Sequence, residues 1–569
     1  MRQVLTFCSL LLLIGLLFAP LATGQAVKYT VTEESGQPAL TYHGLIPGLD
    51  IMGKVRTVLG EPDFEAFWYN YKLKYPSAGR PGLFDTIHMH GKKADSGLSV
   101  IEAASIPEGY ANRKEILANL GDPEFQLRMA TWHLLDYSEK GVRFTLNPDG
   151  KTTGVAYIPH GYRRVPKGER NLVDLSKLRQ GPQPAPASPA KIKGLSVGTA
   201  EMVISPQGEE WLGHKYTVHD DLKSRIAVFR NDKLTVALVG ADVFGMGHNN
   251  TQIIRDRAKK ELGIDHTIFA MSHTHSGGDL IGIYGHYPVE YIAHVQNQTV
   301  DGLAQALKNM KPVAQFKGIS KEMPMDGARI MGLIRNARNP GLLDPTFSIL
   351  QAVDGDDKPL ATIINFACHP ESLSAGPREI SADFPGYMCN KVMEEIGGQV
   401  LFLNGALGGM VSGDNSERTH DSARDTGNKL AEIVLGMLKH AQPPVDFKFR
   451  AETRELELPL TNPAFQQMFD QLPRPIRQGR VITDMTYLEL GEMQMVTLPG
   501  EVLPEVSYEI LEQMQGYPRM LVGLANDQLG YIIPPYDFRD SYYEESMSVG
   551  PASAYSVRDM ALRMIKEQL

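Results

Sequence analysis

Two histidines one residue apart, His273-Thr274-His275, close one apolar run of the chain, and a third, His369, closes another. A carboxylate, Glu501, follows a further run. Residues two apart at the end of a strand share a face, so His273 and His275 can address one ion or one substrate. A lone His-x-His is also satisfied by packed or exposed histidines. His369 and Glu501 at equivalent strand ends make it a set, because imidazoles plus one carboxylate are the borderline nitrogen and oxygen donors that suit zinc, with an open position for water. The chain has only three cysteines, Cys8, Cys368 and Cys389, too few and too scattered for a closed structural zinc site. The chemistry such a set supports is hydrolysis, since zinc brings the pKa of its bound water to about 7.

Converging these groups requires elements that end at one place. From Leu195 onward, apolar β-rich runs alternate with amphipathic helical stretches, the pattern of an α/β layer fold. The runs are Leu234 to Ala241, His266 to Ser272, Pro359 to Cys368, Gln399 to Ala406, Met493 to Leu498 and Arg519 to Ala525, with helices expected over Asn250 to Leu262, Tyr291 to Met310 and Gly386 to Ile396. The first run leads into Asp242, the second into the histidine pair, the third into His369, the fifth into Glu501, and the sixth through Asn526-Asp527-Gln528 into Tyr531. In layered α/β folds the carboxyl ends of strands line the ligand crevice. The expected architecture is a layered mixed sheet flanked by helices over residues 195–569, with a zinc site at its strand ends.

Upstream the texture differs. A proline-rich stretch from Gln180 to Lys191, within a linker over residues 180–194, resists helix and central strand alike. Residues 26–179 before it carry a weak duplication, Leu59-Gly60-Glu61-Pro62 being echoed by Leu120-Gly121-Asp122-Pro123. Each copy reads as a helix ended by glycine and blocked by proline, then a small antiparallel sheet, with Asn147-Pro148-Asp149-Gly150 as a hairpin turn. His88, His90 and His133 in this α+β repeat domain are expected to be packed or exposed rather than metal ligands, since no second group completes a site. The region resembles small repeats of bacterial envelope lipoproteins and inhibitor proteins that recognise macromolecules. Recruiting a partner, covering the active site and peripheral contact with the envelope all remain open as its role.

Arg2, the apolar run Leu10 to Phe18 and Ala22-Thr23-Gly24 read as a cleaved signal over residues 1–24, the run being shorter than the ~20 residues that span a bilayer. The expected location is therefore secreted or periplasmic. After cleavage Cys368 and Cys389 remain, expected as buried free thiols. A net charge of -9 without any long basic run excludes a nucleic-acid-binding surface.

Several segments resemble the neutral ceramidase family. Met271 to Gly278 (MSHTHSGG) is similar to its His-Thr-His-Ser-Gly motif, Asn365 to Leu373 (NFACHPESL) to its Phe-Ala-x-His-Pro segment, and Val496 to Glu501 (VTLPGE) to its Pro-Gly-Glu. Gly530 to Phe538, followed by Tyr542 to Pro551, resembles its Gly-Tyr and Tyr-Glu tail, and Leu195 to Pro206 its domain opening. The resemblance implies zinc held by His273, His369, Glu501 and Tyr531, with His275 beside it as substrate contact or proton carrier. It further implies a substrate-contacting arginine at Arg335, with Arg338 as alternative, and Tyr543 supporting the site. Two features depart from the family. Asn404 to Asp414 (NGALGGMVSGD) breaks the spacing of an Asn-x-Gly-Asp-Val-Ser-Pro loop at Ser412, and no extra β-sandwich follows the Tyr-Glu segment. Zinc-dependent hydrolysis of an amide in an N-acyl lipid is thus the expected function, ceramide being its narrowest form. The rivals are a metal-dependent esterase or amidase on another envelope or environmental substrate, and a non-catalytic binding protein. Ser276 and Ser412 lack the Gly-x-Ser-x-Gly setting of a nucleophilic serine.

Overall fold

The structure is a computed structural model that describes residues 40–568 apart from 69, 162–171, 209–210, 284–285, 374–377, 414–416, 464, 467–473 and 540–541. The N-terminal segment read as an export signal, with Arg2, Cys8 and Leu10 to Phe18, lies outside the described residues, as does Asp414. Among the described residues no helix is long and apolar enough to cross a membrane.

The first part is two copies of one unit. Helices Met52–Leu59 and Arg113–Leu120 each stop at a glycine of positive φ, Gly60 at φ 77° and Gly121 at φ 76°, whose N–H returns to the preceding turn. No residue with a Cβ takes that conformation as readily. A four-strand antiparallel meander follows each helix. The last strands of the two meanders, Leu98–Ala103 and Thr152–Tyr157, pair antiparallel and merge them into one sheet, and Leu172–Asp174 adds a ninth strand beside Phe125–Arg128.

From residue 195 the layered mixed sheet resolves into three copies of one arrangement. The first unit runs through strands Ser196–Val203, Lys223–Arg230 and Thr235–Ala241, helix His248–Leu262, strand His266–Met271 and helix Val289–Lys308. The second repeats this order with Gln315–Glu322, Thr346–Val353, Pro359–Phe366, helix Asp383–Ile396, Gln399–Asn404 and helix His420–Leu438. The third does so with Lys448–Pro459, Arg480–Gly491, Met493–Thr497, helix Pro504–Gln513, Arg519–Val522 and helix Ala552–Gln568. In every unit the strands stand in chain order, the first two pairings antiparallel and the last parallel. A parallel neighbour requires a crossover, which the intervening helix supplies.

The three sheets turn one face inward onto a shared core that includes Leu238 and Ile268, Ile363 and Leu403, and Met495 and Val522. Each outer face buries its own pair of helices. Sheets covered on both faces need uninterrupted apolar runs, which is why Thr235–Ala241 is buried at every residue. Where the second and third units meet, the backbones touch. A Cβ at Gly523 would lie 2.3 Å from Gly405 O.

The N-terminal sheet packs on the second unit through buried charge. Arg143 Nη1 donates to Pro340 O at 2.7 Å, and the N–H groups of Ala130 and Thr131 donate to Glu322. His88 Nδ1 faces Arg335 Nη1 at 3.4 Å, while His88 Nε2 faces Glu102 at 3.2 Å and Glu102 also pairs with Arg329. Arginine only donates, so His88 Nδ1 accepts and Nε2 carries the proton. Burial pushes His88 down to about 4. Burial alone would raise Glu102, but Arg329 and His88 draw it down to about 2. Between pH 6.5 and about 4 the unfolded chain therefore binds a proton at His88 that the folded chain refuses, and stability falls as pH falls through that window. Glu102 adds a loss of the same sign below its ordinary range. The melting temperature should drop on acidification from pH 7 to 4.5, and His88→Gln should flatten that slope. Equal slopes in both proteins would remove His88 as the cause.

Candidate active site

The parallel strands of the three units end at one place, and each unit delivers its polar groups there. The first sends His273 and His275 from the end of His266–Met271, the second sends His369 from Pro359–Phe366, and the third sends Glu501 after Met493–Thr497. One ring nitrogen from each of His273, His275 and His369 lies within 4.8 Å of the others. Glu501 joins them, with Oε1 3.5 Å from His273 Nε2 and Oε2 3.1 Å from His369 Nε2.

The backbone decides which imidazole atoms face inward. His273 Nδ1 meets Phe244 O at 2.5 Å and His369 Nδ1 meets Val411 O at 3.0 Å. A carbonyl oxygen only accepts, so both Nδ1 atoms carry hydrogen and both Nε2 lone pairs point at Glu501, which when ionised also only accepts. Acceptor facing acceptor is resolved by a proton or by a cation between them. Nδ1 anchoring to a carbonyl with Nε2 free is the usual setting of metal-binding histidine, so the donor set fits a divalent ion such as zinc. Phe244 also stacks on the His273 ring, centroids 4.6 Å apart. His273 holds φ 68°, and Met410, Leu524 and Asn526 bordering the site also have positive φ, a strain that collects at functional sites.

Electrostatics follow from this packing. Burial alone would raise the Glu501 carboxyl, but the imidazoles of His273 and His369 hold it well below the usual carboxylate range. Burial would lower His369, yet Glu501 and Glu371 raise it. His275 is driven well below its ordinary value by burial and then by the two neighbouring imidazoles, and neither of its ring nitrogens has a hydrogen-bond partner among the described residues. A neutral His275 can accept or hand on a proton.

Tyr531 lies opposite Glu501 in a short parallel ladder, so the two side chains leave on the same face. Its ring is buried and its hydroxyl donates to Met410 Sδ at 3.0 Å. Tyr543 is 52% exposed and stands edge-on to Tyr531, centroids 6.1 Å apart. Arg335 is fully buried opposite Ser412, which bridges to His369, but its guanidinium reaches the His88 ring of the N-terminal sheet. Arg338 is committed to Asp537, Glu544 and Glu545. Asp242 spends its carboxylate on Arg225 and the Lys223 N–H, away from the imidazoles. Cys368 and Cys389 are free and buried.

Several groups at the site were not singled out from sequence. Gln528 donates to Glu501 Oε1 at 2.9 Å. Asn404 joins all three units: its Nδ2 donates to Ser272 O and Cys368 O at 2.9 and 2.8 Å, its Oδ1 accepts from Cys368 N and Gly405 N, and its carbonyl accepts from Gly523 N. Asparagine ending an apolar strand was the available signal. A second grouping, His219, Asp220 and His420, does not suit an ion, because the two rings stack face to face 3.5 Å apart at 7° and no single atom lies in both planes.

The architecture has relatives among solved structures. The chain is similar in fold to neutral ceramidase. Neutral ceramidase from Pseudomonas aeruginosa superposes with a TM-score of 0.53 at 15% identity, covering 66% of this chain and 75% of the ceramidase. A structure of ceramidase complexed with C2 gives the same TM-score and identity over 66% of this chain and 76% of the other. No family profile and no curated protein sequence matches the chain. The likeness therefore lies in the fold, and the side-chain geometry described above carries the chemical argument.

Proposed function

We propose that this protein is a metal-dependent amidohydrolase that cleaves the amide bond of an N-acyl lipid, ceramide-like, to a fatty acid and an amine. One observation carries the reading: two Nδ1-anchored imidazoles turn their lone pairs onto a single buried carboxylate, with a third imidazole alongside. His273, His369 and Glu501 would hold zinc, with Tyr531 or His275 beside them. When bound, the ion supplies a water reactive at neutral pH and polarises a carbonyl.

The chain's own residues then divide the remaining work. Gln528 fixes one oxygen of Glu501 and leaves the other toward His369. His275, buried and neutral, is placed to hold the proton that the leaving amine needs. The buried surroundings exclude water and keep the donors oriented, which strengthens each interaction with developing charge. Similarity of fold to neutral ceramidase supports the same class of reaction, and the apolar run Leu10 to Phe18 after Arg2 supports export to the periplasm or the cell exterior.

The purified full-length mature chain should contain about one zinc per molecule by elemental analysis. It should also release fatty acid from a fluorescent N-acyl sphingosine, and chelation should stop the release. Zinc without release would keep the hydrolase and move the substrate elsewhere. Protein free of zinc that neither binds it on addition nor turns over substrate would sink the catalytic reading.

A further inference from the structure

Glu371 lies two residues beyond His369 and is 7% exposed. Its N–H donates to His369 O at 3.0 Å, which anchors the residue beside the imidazole cluster. Oε1 stands 3.4 Å from His275 Nε2 without the alignment of a hydrogen bond, and Oε2 is shut off from solvent with no hydrogen-bond partner among the described residues. Arg418 is close enough for its charge to act on Glu371.

A buried carboxylate oxygen without a donor is costly, and native proteins rarely tolerate one without a reason. Glu501 has Gln528 and two histidines around it, whereas among the described residues Glu371 Oε2 has no hydrogen-bond partner and neither has either ring nitrogen of the neighbouring His275. A carboxylate only accepts, so the atom that completes it is a donor. In ligand sites a few fixed polar groups of this kind set orientation and choice.

We propose that Glu371 is a specificity-determining residue that accepts a hydrogen bond from a hydroxyl or amine carried on the leaving-amine side of the scissile amide. His275 is the group facing the leaving nitrogen, so the acceptor next to it meets that half of the substrate. This rests on the amidohydrolase reading above. It narrows the substrates to N-acyl compounds whose amine half bears a donor within one or two carbons of nitrogen.

The test compares two amides of the same size, N-dodecanoyl ethanolamine and N-dodecanoyl propylamine, on the full-length wild-type enzyme and on Glu371→Met and Glu371→Gln. Wild type should favour the hydroxylated amide by about 10- to 100-fold in kcat/KM, the range of a hydrogen bond to a charged group. Glu371→Met should bring the two within about threefold by slowing the hydroxylated amide alone. Glu371→Gln, which keeps the shape and an acceptor, should retain part of the preference and guards against a folding defect. Equal losses on both amides would overturn the proposal and leave Glu371 acting through His275. The same pair is titrated calorimetrically with zinc-loaded protein. If neither is cleaved, hydroxyl-dependent binding lost in Glu371→Met still supports the proposal, and equal binding overturns it. Absent turnover by itself counts only against the amidohydrolase reading.

Discussion

His369→Ala is expected to leave the purified protein without zinc and to lower amide hydrolysis by at least ~10³-fold, because water without the metal returns toward its ordinary pKa. His369 is buried, its orientation is locked by Val411 O, and its Nε2 stands 3.1 Å from Glu501 Oε2. The substitution also strips Glu501 of the nearer of its two imidazoles, so a buried carboxylate is left short of a positive partner. The variant should therefore melt lower than wild type even after both are treated with chelator. Two readouts separate the cases: retained zinc with lost activity would make His369 a substrate contact, and retained activity would move the chemistry away from this cluster altogether.

Asn404→Ala should have the largest effect on stability of any single substitution away from the imidazoles. Its side chain makes four hydrogen bonds, to Ser272 O, Cys368 O, Cys368 N and Gly405 N, all without access to water. Removing it strands the Ser272 and Cys368 carbonyls and the Cys368 N–H, while the Gly405 N–H keeps Phe366 O; each stranded group costs about 1–3 kcal/mol when unsatisfied. Part of that cost returns if water enters the space. A net loss of about 3–5 kcal/mol follows, read from the shift of the urea unfolding midpoint at unchanged slope. A loss below about 1 kcal/mol would mean that water replaces the Asn404 side chain at its partners almost without cost.

The strands that carry the imidazoles and Glu501 were readable because buried parallel strands leave uninterrupted apolar runs, and a polar residue ending such a run stands out. His273, His275, His369 and Glu501 are all of this kind, and the structure brings them together. The duplication of the first part was readable from Leu-Gly-Glu-Pro and Leu-Gly-Asp-Pro, since glycine at positive φ and a following proline are local requirements. The threefold repeat of the second part was not, because topology repeats there without any shared residue pattern. The anchors of His273 and His369 escaped for another reason: Phe244 O and Val411 O are backbone atoms, and any residue type supplies a carbonyl. Arg335 was named from motif position, and its contact with His88, almost 250 positions earlier, could not be read from sequence. Glu102 and Arg329 likewise acquire meaning only once the N-terminal sheet is docked.

The origin of the site in three units has a consequence for how the chain reaches its working state. The first unit offers His273 and His275, the second His369, and the third Glu501 with Gln528 and Tyr531. Long stretches of chain must close before any of these meet, and contacts of such separation form late and slowly. No partly folded chain, proteolytic fragment or misdocked unit therefore carries a weakened form of the chemistry. On the proposed hydrolase reading, turnover would begin only when the last unit is seated, so activity would itself report that folding is complete.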